Sequence, residues 1–295
     1  RKMQTLTFNN GIKIPQLGYG TAAIDGWQAD NDYVKDTILK AIELGYRHID
    51  TASLYGNERS VGRAVKESGI PREEFFITTK AWHTEQGTGN VRKALDASLE
   101  RLQMDYVDLY LIHWPYPEKT KETWTEMETL HDEGLTKALG LSNFRKSDIE
   151  DILSFARIKP VYNQLELHPY FTQKELATYC DANDIIVSCW SPLGTGEWND
   201  VDKSQKPIAD PVISEIALKY GVSAAQVIIK WDLQAGRIVI PKSETPKNMA
   251  SNLALDSFTL SAEDMARIDG LNKDLRFGGN PDTVYDAAIN QKVPA

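Results

Sequence analysis

Short apolar runs and helix-like runs alternate along most of the chain, and this alternation constrains the fold more than any other feature of the sequence. In the helix-like runs, apolar residues recur at spacings of three and four, which is typical of amphipathic helices. These runs cover residues 33–44, 58–68, 91–102, 122–131, 146–155 and 173–182. Between them lie apolar or β-branched runs of the length of buried parallel strands, namely RHIDT, FFITTK, VDLYLIHW, KALGLSNF, PVYNQLEL, IIVSCW and IVIPK. This alternation of strand-like and helix-like runs continues without a break in composition, which predicts one α/β domain over residues 1–295.

The number of strand-like runs predicts a closed barrel. A first strand near QLGYG brings the count to about eight, the number that closes a (β/α)8 TIM barrel. Two alternating runs around Asn9, Asn10 and Gly11 predict a β-hairpin, which we expect to cap the bottom of the barrel. The irregular segment 191–211 and the stretch from Phe277 onward are expected to form long loops at the carboxyl-end face.

An open, doubly wound sheet is the competing fold, and its nucleotide-binding fingerprint can be tested in the sequence. The stretch GYGTAA, residues 18–23, matches the loose form G-x-G-x-x-A. However, Pro15 lies inside the run that would be the first strand, and no helical pattern begins until about Asp30. We therefore interpret the match as chance and prefer the barrel.

The composition is that of an ordinary globular protein and argues against several classes of partner. A formal net charge of −9 disfavours nucleic acid, because binding to a phosphate backbone depends on clustered Lys and Arg. The apolar runs are far shorter than a membrane span, and no signal peptide is visible. Cys180 and Cys189 lack metal spacing and suit reduced thiols. We expect a cytoplasmic, monomeric protein that binds neither nucleic acid nor membrane.

Four ionisable side chains lie at the ends of successive strand-like runs. Asp50 ends RHID, Tyr55 lies in the loop after it, Lys80 ends FFITTK and His113 ends VDLYLIH. In a barrel the active groups lie at the carboxyl ends of the strands, and successive strands are neighbours. We therefore expect these four side chains to converge on one pocket.

These residue types fit together as a proton-delivery site. A lysine cation near a tyrosine favours phenolate and lowers the pKa of the phenol, so Tyr55 is the candidate general acid. Asp50 would keep the Lys80 ammonium charged despite burial, and His113 would direct an N–H at a carbonyl oxygen. The set offers neither a nucleophile nor a metal centre, so a hydride for the carbonyl carbon has to come from a cofactor.

Taken singly, each residue has a simpler structural interpretation. An Asp followed by Thr at a strand end is commonly a turn former or a helix cap. A Tyr or Lys in a loop is commonly amphipathic surface, and a lone His beside Trp and Pro is commonly a structural hydrogen-bonding residue. The functional interpretation depends on their occurrence together at three successive strand ends.

Seven motifs resemble the aldo-keto reductase family in their order and separation. They are GYRHIDTASLYGNERSVGRAV, FFITTKAW, DLYLIHWP, GLSNF, NQLELHPY, WSPLG and IPKSETPKNMASN. The resemblance spans nearly the whole chain, and among the branches of the family the sequence is most similar to bacterial glyoxal and 2,5-diketo-D-gluconate reductases. It implies a (β/α)8 barrel that reduces aldehydes and ketones with a nicotinamide cofactor and without a Rossmann domain.

The resemblance also implies roles for individual residues. By motif match, the catalytic tetrad is Asp50, Tyr55, Lys80 and His113, with Tyr55 as the proton donor. The positions that match cofactor contacts of the family are Gly20 and Thr21 in the first-strand loop, the tetrad residue Asp50, the carboxamide-binding Ser142, Asn143 and Gln164, Trp190 as the ring-stacking aromatic, Ser191, Leu193 and Gly194 in the pyrophosphate loop, and Lys242, Ser243, Glu244, Asn248, Ser251 and Asn252 around the adenosine.

The adenosine end departs from the family pattern. Asn248 stands where many members carry an arginine that supports the 2′-phosphate, and Ser251 replaces a more usual glutamate. Lys242 and Ser243 can engage a phosphate, whereas the Glu244 carboxylate would repel a 2′-phosphate and could accept hydrogen bonds from a free ribose hydroxyl. The resemblance thus implies NADPH, with NADH as a second cofactor that the pocket could accept. The simpler alternative is that Glu244 points to solvent.

Aromatic side chains on the same face predict the substrate pocket. The residues expected to line it are Ile24, Trp27, Trp82, His113 and Trp114, with Trp198 in the long loop. An aromatic pocket suits small aldehydes and ketones, but each tryptophan could equally pack in the core. His83 and His168 are interpreted as structural.

Two other functions are compatible with parts of the sequence. The first is a catalytically weak, nicotinamide-binding barrel that acts as a regulatory subunit, against which the complete tetrad counts. The second is a metal-dependent hydrolase, which needs a convergent cluster of histidines and carboxylates. The chain has only five histidines, and no pair of them has ligand spacing.

Overall fold

A computed structural model describes residues 3–190, 192–194, 202–284 and 291–295 of the protein. Its strands form an N-terminal hairpin and a parallel eight-stranded sheet. The hairpin pairs β1 (Thr5–Thr7) with β2 (Lys13–Pro15) in antiparallel register. In the large sheet each strand pairs with the next one in sequence. Its strands are β3 (Tyr19–Gly20), β4 (His48–Asp50), β5 (Phe76–Ala81), β6 (Val107–Ile112), β7 (Thr136–Ser142), β8 (Tyr162–Glu166), β9 (Ile186–Trp190) and β10 (Ile238–Val239).

Residues before β3 close this sheet onto β10. Leu17 forms a parallel bridge with Val239, the Gly18 N–H donates to the Val239 carbonyl at 2.9 Å, and the Val239 N–H donates to the Gln16 carbonyl at 3.0 Å. The predicted (β/α)8 barrel is confirmed, and the open doubly wound sheet is excluded. Turns and bends, rather than a helix, follow the GYGTAA stretch, as expected for a chance match.

Ten α-helices connect and cover the strands in the described part of the chain. They are α1 (Asp32–Leu44), α2 (Glu58–Glu67), α3 (Asn90–Leu102), α4 (Thr120–Asp132), α5 (Lys146–Phe155), α6 (Lys174–Ala182), α7 (Pro211–Tyr220), α8 (Ala224–Gln234), α9 (Pro246–Leu253) and α10 (Ala262–Asp269). The six predicted helices are confirmed to within two residues at each end. The last four were not predicted individually, although Asp210 before Pro211 and the Ser223–Gln226 capping box are start signals for α7 and α8.

Among the described residues, no single helix is long and apolar enough to cross a membrane. Only α7 and α8 taken together meet the length and composition of a span, and these two helices are bent by 89° relative to each other.

The hairpin closes one end of the barrel, as predicted. Phe8 follows β1 and packs edge-on against Phe76 and Tyr162, with ring centroids 6.3 and 6.2 Å away. Phe76 and Tyr162 are the first residues of β5 and β8, so these contacts lie at the amino ends of the strands. The carboxyl ends of the strands are at the opposite end, where loops can build a site.

Candidate active site

The Lys80 side chain is the buried centre of the predicted catalytic group. It lies in β5 with no exposed surface, and its Nζ atom is 2.5 Å from Oδ1 of Asp50 at the end of the neighbouring strand β4. The same ammonium donates to the Thr51 carbonyl at 2.8 Å and to the hydroxyl of Tyr55 at 3.3 Å. All three N–H groups of the lysine are therefore used, and one of them holds the candidate general acid.

Burial and charge act in opposite directions on the lysine and the phenol. Burial disfavours the Lys80 ammonium, but Asp50 and Tyr55 outweigh it, so the pKa of Lys80 is raised. For Tyr55, burial is the largest influence and raises the pKa, while the Lys80 cation lowers it by less. The predicted net lowering of the tyrosine pKa is therefore wrong, because desolvation of the phenolate exceeds the attraction of the lysine.

His113 completes the group from the end of β6. Its ring packs edge-on against Tyr55 at 5.7 Å and against Trp82 at 5.1 Å. Burial, and then the Lys80 cation, hold the pKa of His113 well below its usual value, so the imidazole is neutral at neutral pH. Asn143 Nδ2 donates to the His113 carbonyl at 3.0 Å and fixes the end of the strand.

The residues expected near the nicotinamide are hydrogen-bonded to this group and to each other. Gln164 Nε2 donates to Oδ2 of Asp50 at 2.9 Å and to the Tyr162 hydroxyl at 2.8 Å. Trp190 Nε1 donates to Oδ1 of Asn143 at 2.8 Å. Because both N–H groups of the Gln164 amide are used, its carbonyl oxygen is the atom left to accept a bond from a ligand.

A cavity of about 1070 Å³ opens at the carboxyl ends of the strands, above the Lys80 side chain. Its walls contain most of the predicted site residues, which are Gly20, Thr21, Trp27, Asp50, Tyr55, Trp82, His113, Trp114, Ser142, Asn143, Gln164, Trp190, Leu193 and Lys242. The side chains predicted from separate motifs are thus brought together around one space.

Several predicted residues do not line this cavity. Ile24, predicted for substrate, is 1% exposed and belongs to the main hydrophobic core together with helix residues such as Val34 and Ile38. Gly194 adjoins Pro207 and Phe277 beside the cavity. The residues Ser243, Glu244, Asn248, Ser251 and Asn252 lie in α9 and the loop before it, outside the lining. Ser191 and Trp198 lie outside the described residues.

Glu244 is anchored rather than directed freely to solvent. Its Oε1 accepts the Asp25 N–H at 3.0 Å and the Tyr33 hydroxyl at 3.3 Å, and its Oε2 lies 3.6 Å from Nζ of Lys242. Lys242 also donates to the Ala23 carbonyl at 3.1 Å. The carboxylate therefore lies within reach of the lysine that was predicted to engage a phosphate.

Several residues of the cavity wall were not among the predicted site residues, and two parts matter here, although a long loop was expected at this face from Phe277 onward. One is Lys206, which is 7% exposed and whose side-chain ammonium has no hydrogen-bond or ion-pair partner among the described residues. The other is the C-terminal stretch, of which Phe277, Gly278, Gly279, Val284 and Gln291 line the cavity. The adjacent glycines in FGGN were an available signal, since such a pair permits close approach of the backbone to other groups. The described residues of this stretch therefore border the site.

Metal-ligand side chains do not cluster over the ranges that the structure describes. No group of three or more His, Cys, Asp or Glu residues there could hold a metal ion. Cys180 and Cys189 are buried free thiols. His83 is buried and packs against the rings of Trp82 and Tyr116, in keeping with a structural role.

Comparison with known proteins agrees with this geometry. A model of the aldo/keto reductase family matches residues 16–273. The glyoxal reductase of Bacillus subtilis is 45% identical over 278 residues, which are 94% of this chain and 96% of that protein. The 9,11-endoperoxide prostaglandin H2 reductase of Trypanosoma cruzi is 42% identical, with 95% of each chain covered. The structure of a Bombyx mori aldo-keto reductase in complex with NADP aligns with a TM-score of 0.88 at 33% identity, over 99% of both chains.

Proposed function

Because the chain belongs to the aldo/keto reductase family, we propose that it reduces small aldehydes and ketones to alcohols, with a hydride from NADPH and a proton from Tyr55. The observation that carries the proposal is the hydrogen bond of 3.3 Å from the buried Lys80 ammonium to the Tyr55 hydroxyl, beside His113 in the cavity wall. A catalytic acid at this position can protonate a carbonyl oxygen that enters the cavity.

Tyr55 stays protonated until it transfers its proton to the carbonyl oxygen. Burial raises the pKa of Tyr55, so the phenol keeps its proton at neutral pH. As the proton leaves, the Lys80 ammonium stabilises the phenolate, and Asp50 keeps that ammonium charged and in position. The neutral His113 ring can donate an N–H to the same carbonyl oxygen and orient it.

The walls of the cavity fit a nicotinamide dinucleotide. When bound, this cofactor supplies the hydride that the protein side chains cannot provide. Trp190 offers a ring face, and the Gln164 carbonyl oxygen can accept from the carboxamide N–H. Lys206 has a mostly buried side chain whose ammonium has no partner in the described part of the chain, which suits the negative charge of a pyrophosphate.

The adenosine end supports NADPH as the preferred cofactor, with NADH also accepted. Lys242 can pair with a 2′-phosphate, and a relative with the same fold was solved in complex with NADP. Glu244, only 3.6 Å from Lys242, weakens this preference because a carboxylate repels the phosphate and accepts a bond from a free ribose hydroxyl. Asn248 adds no charge to the pair.

The proposed setting is a single domain over residues 1–295 that works as a monomer in the cytoplasm. The two buried free thiols support a reducing compartment, and the family match over residues 16–273 supports one continuous domain.

The direct test is the oxidation of NADPH and of NADH, followed by absorbance, with methylglyoxal and with a panel of aromatic aldehydes and ketones. We expect turnover with both cofactors and higher efficiency with NADPH. No turnover with either cofactor across the panel would refute the proposal. Cofactor binding without turnover would instead favour the regulatory barrel.

A further inference from the structure

The carboxylate of Glu166 holds the backbone of the C-terminal stretch. Glu166 is the last residue of β8 and is fully buried. Its Oε2 accepts the Phe277 N–H at 2.8 Å, and its Oε1 accepts the Gly278 N–H at 2.7 Å. His168 Nε2 forms a third contact with Oε2 at 2.8 Å, and its ring stacks on Phe277 with centroids 5.0 Å apart. Bonds from backbone N–H groups to a buried carboxylate are among the stronger hydrogen bonds in proteins.

Residues 277–279, of which Glu166 holds the first two, are here termed the strap, and they press against two tryptophans of the cavity. A Cβ atom added to Gly278 would lie 2.2 Å from Cη2 of Trp190, and one added to Gly279 would lie 3.0 Å from Cη2 of Trp114. Only glycine permits so close an approach at position 278. The strap therefore bears directly on the ring expected to stack on the nicotinamide and on a wall of the predicted substrate pocket.

Other contacts anchor the chain on both sides of the strap. The Leu275 N–H donates to the Tyr170 carbonyl at 3.0 Å, and Arg145 Nη1 lies 2.6 Å from Oδ1 of Asp282. These anchors lie outside the strap and keep the segment near the barrel. Between them along the chain, Glu166 accepts the Phe277 and Gly278 N–H groups, and Arg276 Nη1 donates to the Gly279 carbonyl at 3.2 Å.

We infer that Glu166 is a positioning residue: by holding Phe277 and Gly278 it fixes how far the strap presses on Trp190 and Trp114, and so sets the size of the carbonyl compound that the cavity accepts. The inference rests on the proposed reductase function. Glu166 has no role in proton transfer, because its carboxylate is used by two backbone N–H groups and an imidazole.

Glu166→Gln is the informative substitution, since it keeps the size of the side chain and removes one acceptor. An amide has a single oxygen, so at least one of the two strap N–H groups would face another donor. The flanking anchors should keep the segment attached, so the expected effect is local loosening. Gly278→Ala tests the same contact from the opposite side, because its Cβ must displace the Trp190 ring or the strap.

Two measurements test the inference. In Glu166→Gln, amide hydrogen exchange at Phe277 and Gly278 should be faster by roughly tenfold or more, with the rest of the barrel unchanged. The ratio of kcat/KM for methylglyoxal to kcat/KM for a bulky aromatic aldehyde should fall by about threefold to tenfold, mainly through KM of the bulky substrate. Gly278→Ala should also change this ratio.

Glu128→Gln is the matched control. Glu128 is another buried carboxylate that accepts a backbone N–H, that of Ile158 at 2.6 Å, and it is not part of the cavity wall. This variant should leave both the substrate ratio and the exchange of the strap unchanged.

Wild-type exchange and a wild-type substrate ratio in Glu166→Gln would overturn the inference. Faster exchange with an unchanged substrate ratio in both Glu166→Gln and Gly278→Ala would overturn it too. The contact between Glu166 and the strap would then stabilise the structure without affecting substrate size. Absence of turnover in the wild-type protein would instead refute the proposed function, and exchange at the two amides would then decide whether Glu166 holds the strap.

Discussion

The Nζ atom of Lys80 lies 2.5 Å from Oδ1 of Asp50, and neither side chain is more than 4% exposed. A buried ammonium is stable only when it is paired and its N–H groups are satisfied. Here the pairing also directs one N–H to the Tyr55 hydroxyl, so the contact that stabilises the charge orients the proposed acid. Under the proposed function, fold stability and proton delivery therefore depend on the same two residues.

Asp50→Asn should destabilise the protein strongly. Removal of the carboxylate leaves the buried Lys80 cation without a counter-charge, which typically costs about 3–5 kcal/mol. The loss should appear as a lower midpoint in urea denaturation. Asp32→Asn, which breaks an exposed pair with Arg63, is the control and should change the midpoint little. A loss in Asp50→Asn no larger than in the control would contradict the role of the buried pair.

Tyr55→Phe should remove turnover and leave cofactor affinity nearly unchanged. The phenyl ring can keep the edge-on contacts with His113 and Trp27, so the cavity should retain its shape. Loss of the proton donor should lower kcat by about 10²- to 10⁴-fold. Steady-state kinetics and a fluorescence titration with NADPH measure the two quantities. Full activity in this variant would remove Tyr55 from the proposed role.

Removal of the Glu244 carboxylate should raise the preference for NADPH. A like charge about 4 Å from a phosphate costs about 1 kcal/mol even in water, so Glu244→Val should raise the NADPH-to-NADH ratio of kcat/KM roughly fivefold or more. Asn248→Arg should act in the same direction by adding a cation. Glu215→Val, at an ion pair between α7 and α10, serves as the control. If neither variant raises the ratio, this interpretation of the adenosine end is wrong.

Acid should destabilise the protein partly through His48. Burial lowers the pKa of this residue to about 4, with Nδ1 donating to the Pro15 carbonyl at 3.0 Å. The unfolded chain binds a proton near pH 6.5 and the folded chain does not, so stability is full above that pH and is lost as the pH falls toward 4. The free energy of unfolding lost through protonation of His48 is roughly 3 kcal/mol.

His48→Asn isolates this contribution. The Asn amide can keep the bond to Pro15 but cannot titrate, so the pH dependence of the free energy of unfolding should be flatter in the variant between pH 4 and 6.5. Some dependence should persist, because burial also lowers the pKa of His83 to about 4. A variant with the slope of the wild type would show that His48 is not the group concerned.

The predicted helices and the four candidate catalytic residues followed from local patterns. Apolar spacing predicted α1 to α6 because a helix that covers a barrel must bury one face, whatever its partners are. Asp50, Lys80 and His113 were found because parallel strands bring their carboxyl ends to one side. Both signals are contained in short stretches of the chain.

Other properties required contacts between distant segments. The sign of the Tyr55 pKa shift depends on whether burial exceeds the effect of Lys80, and burial is a sum over the whole cavity. Ile24 was predicted to line the pocket, and only the packing of the helices shows that it faces the core. That Glu244 is anchored is visible only from its hydrogen bonds with Asp25 and Tyr33, which are distant in sequence.

By itself, the sequence determined the alternating strands and helices, the residues at the strand ends and the family, because periodicity and motifs depend on neighbours along the chain. Only the tertiary structure decided which of those residues share the cavity, that Lys206 is buried there, and that Glu166 reaches Phe277 and Gly278 more than a hundred positions away. Hydrogen bonds, burial and electrostatics act through space over a few ångströms, and closure of the barrel determines which residues come within that distance.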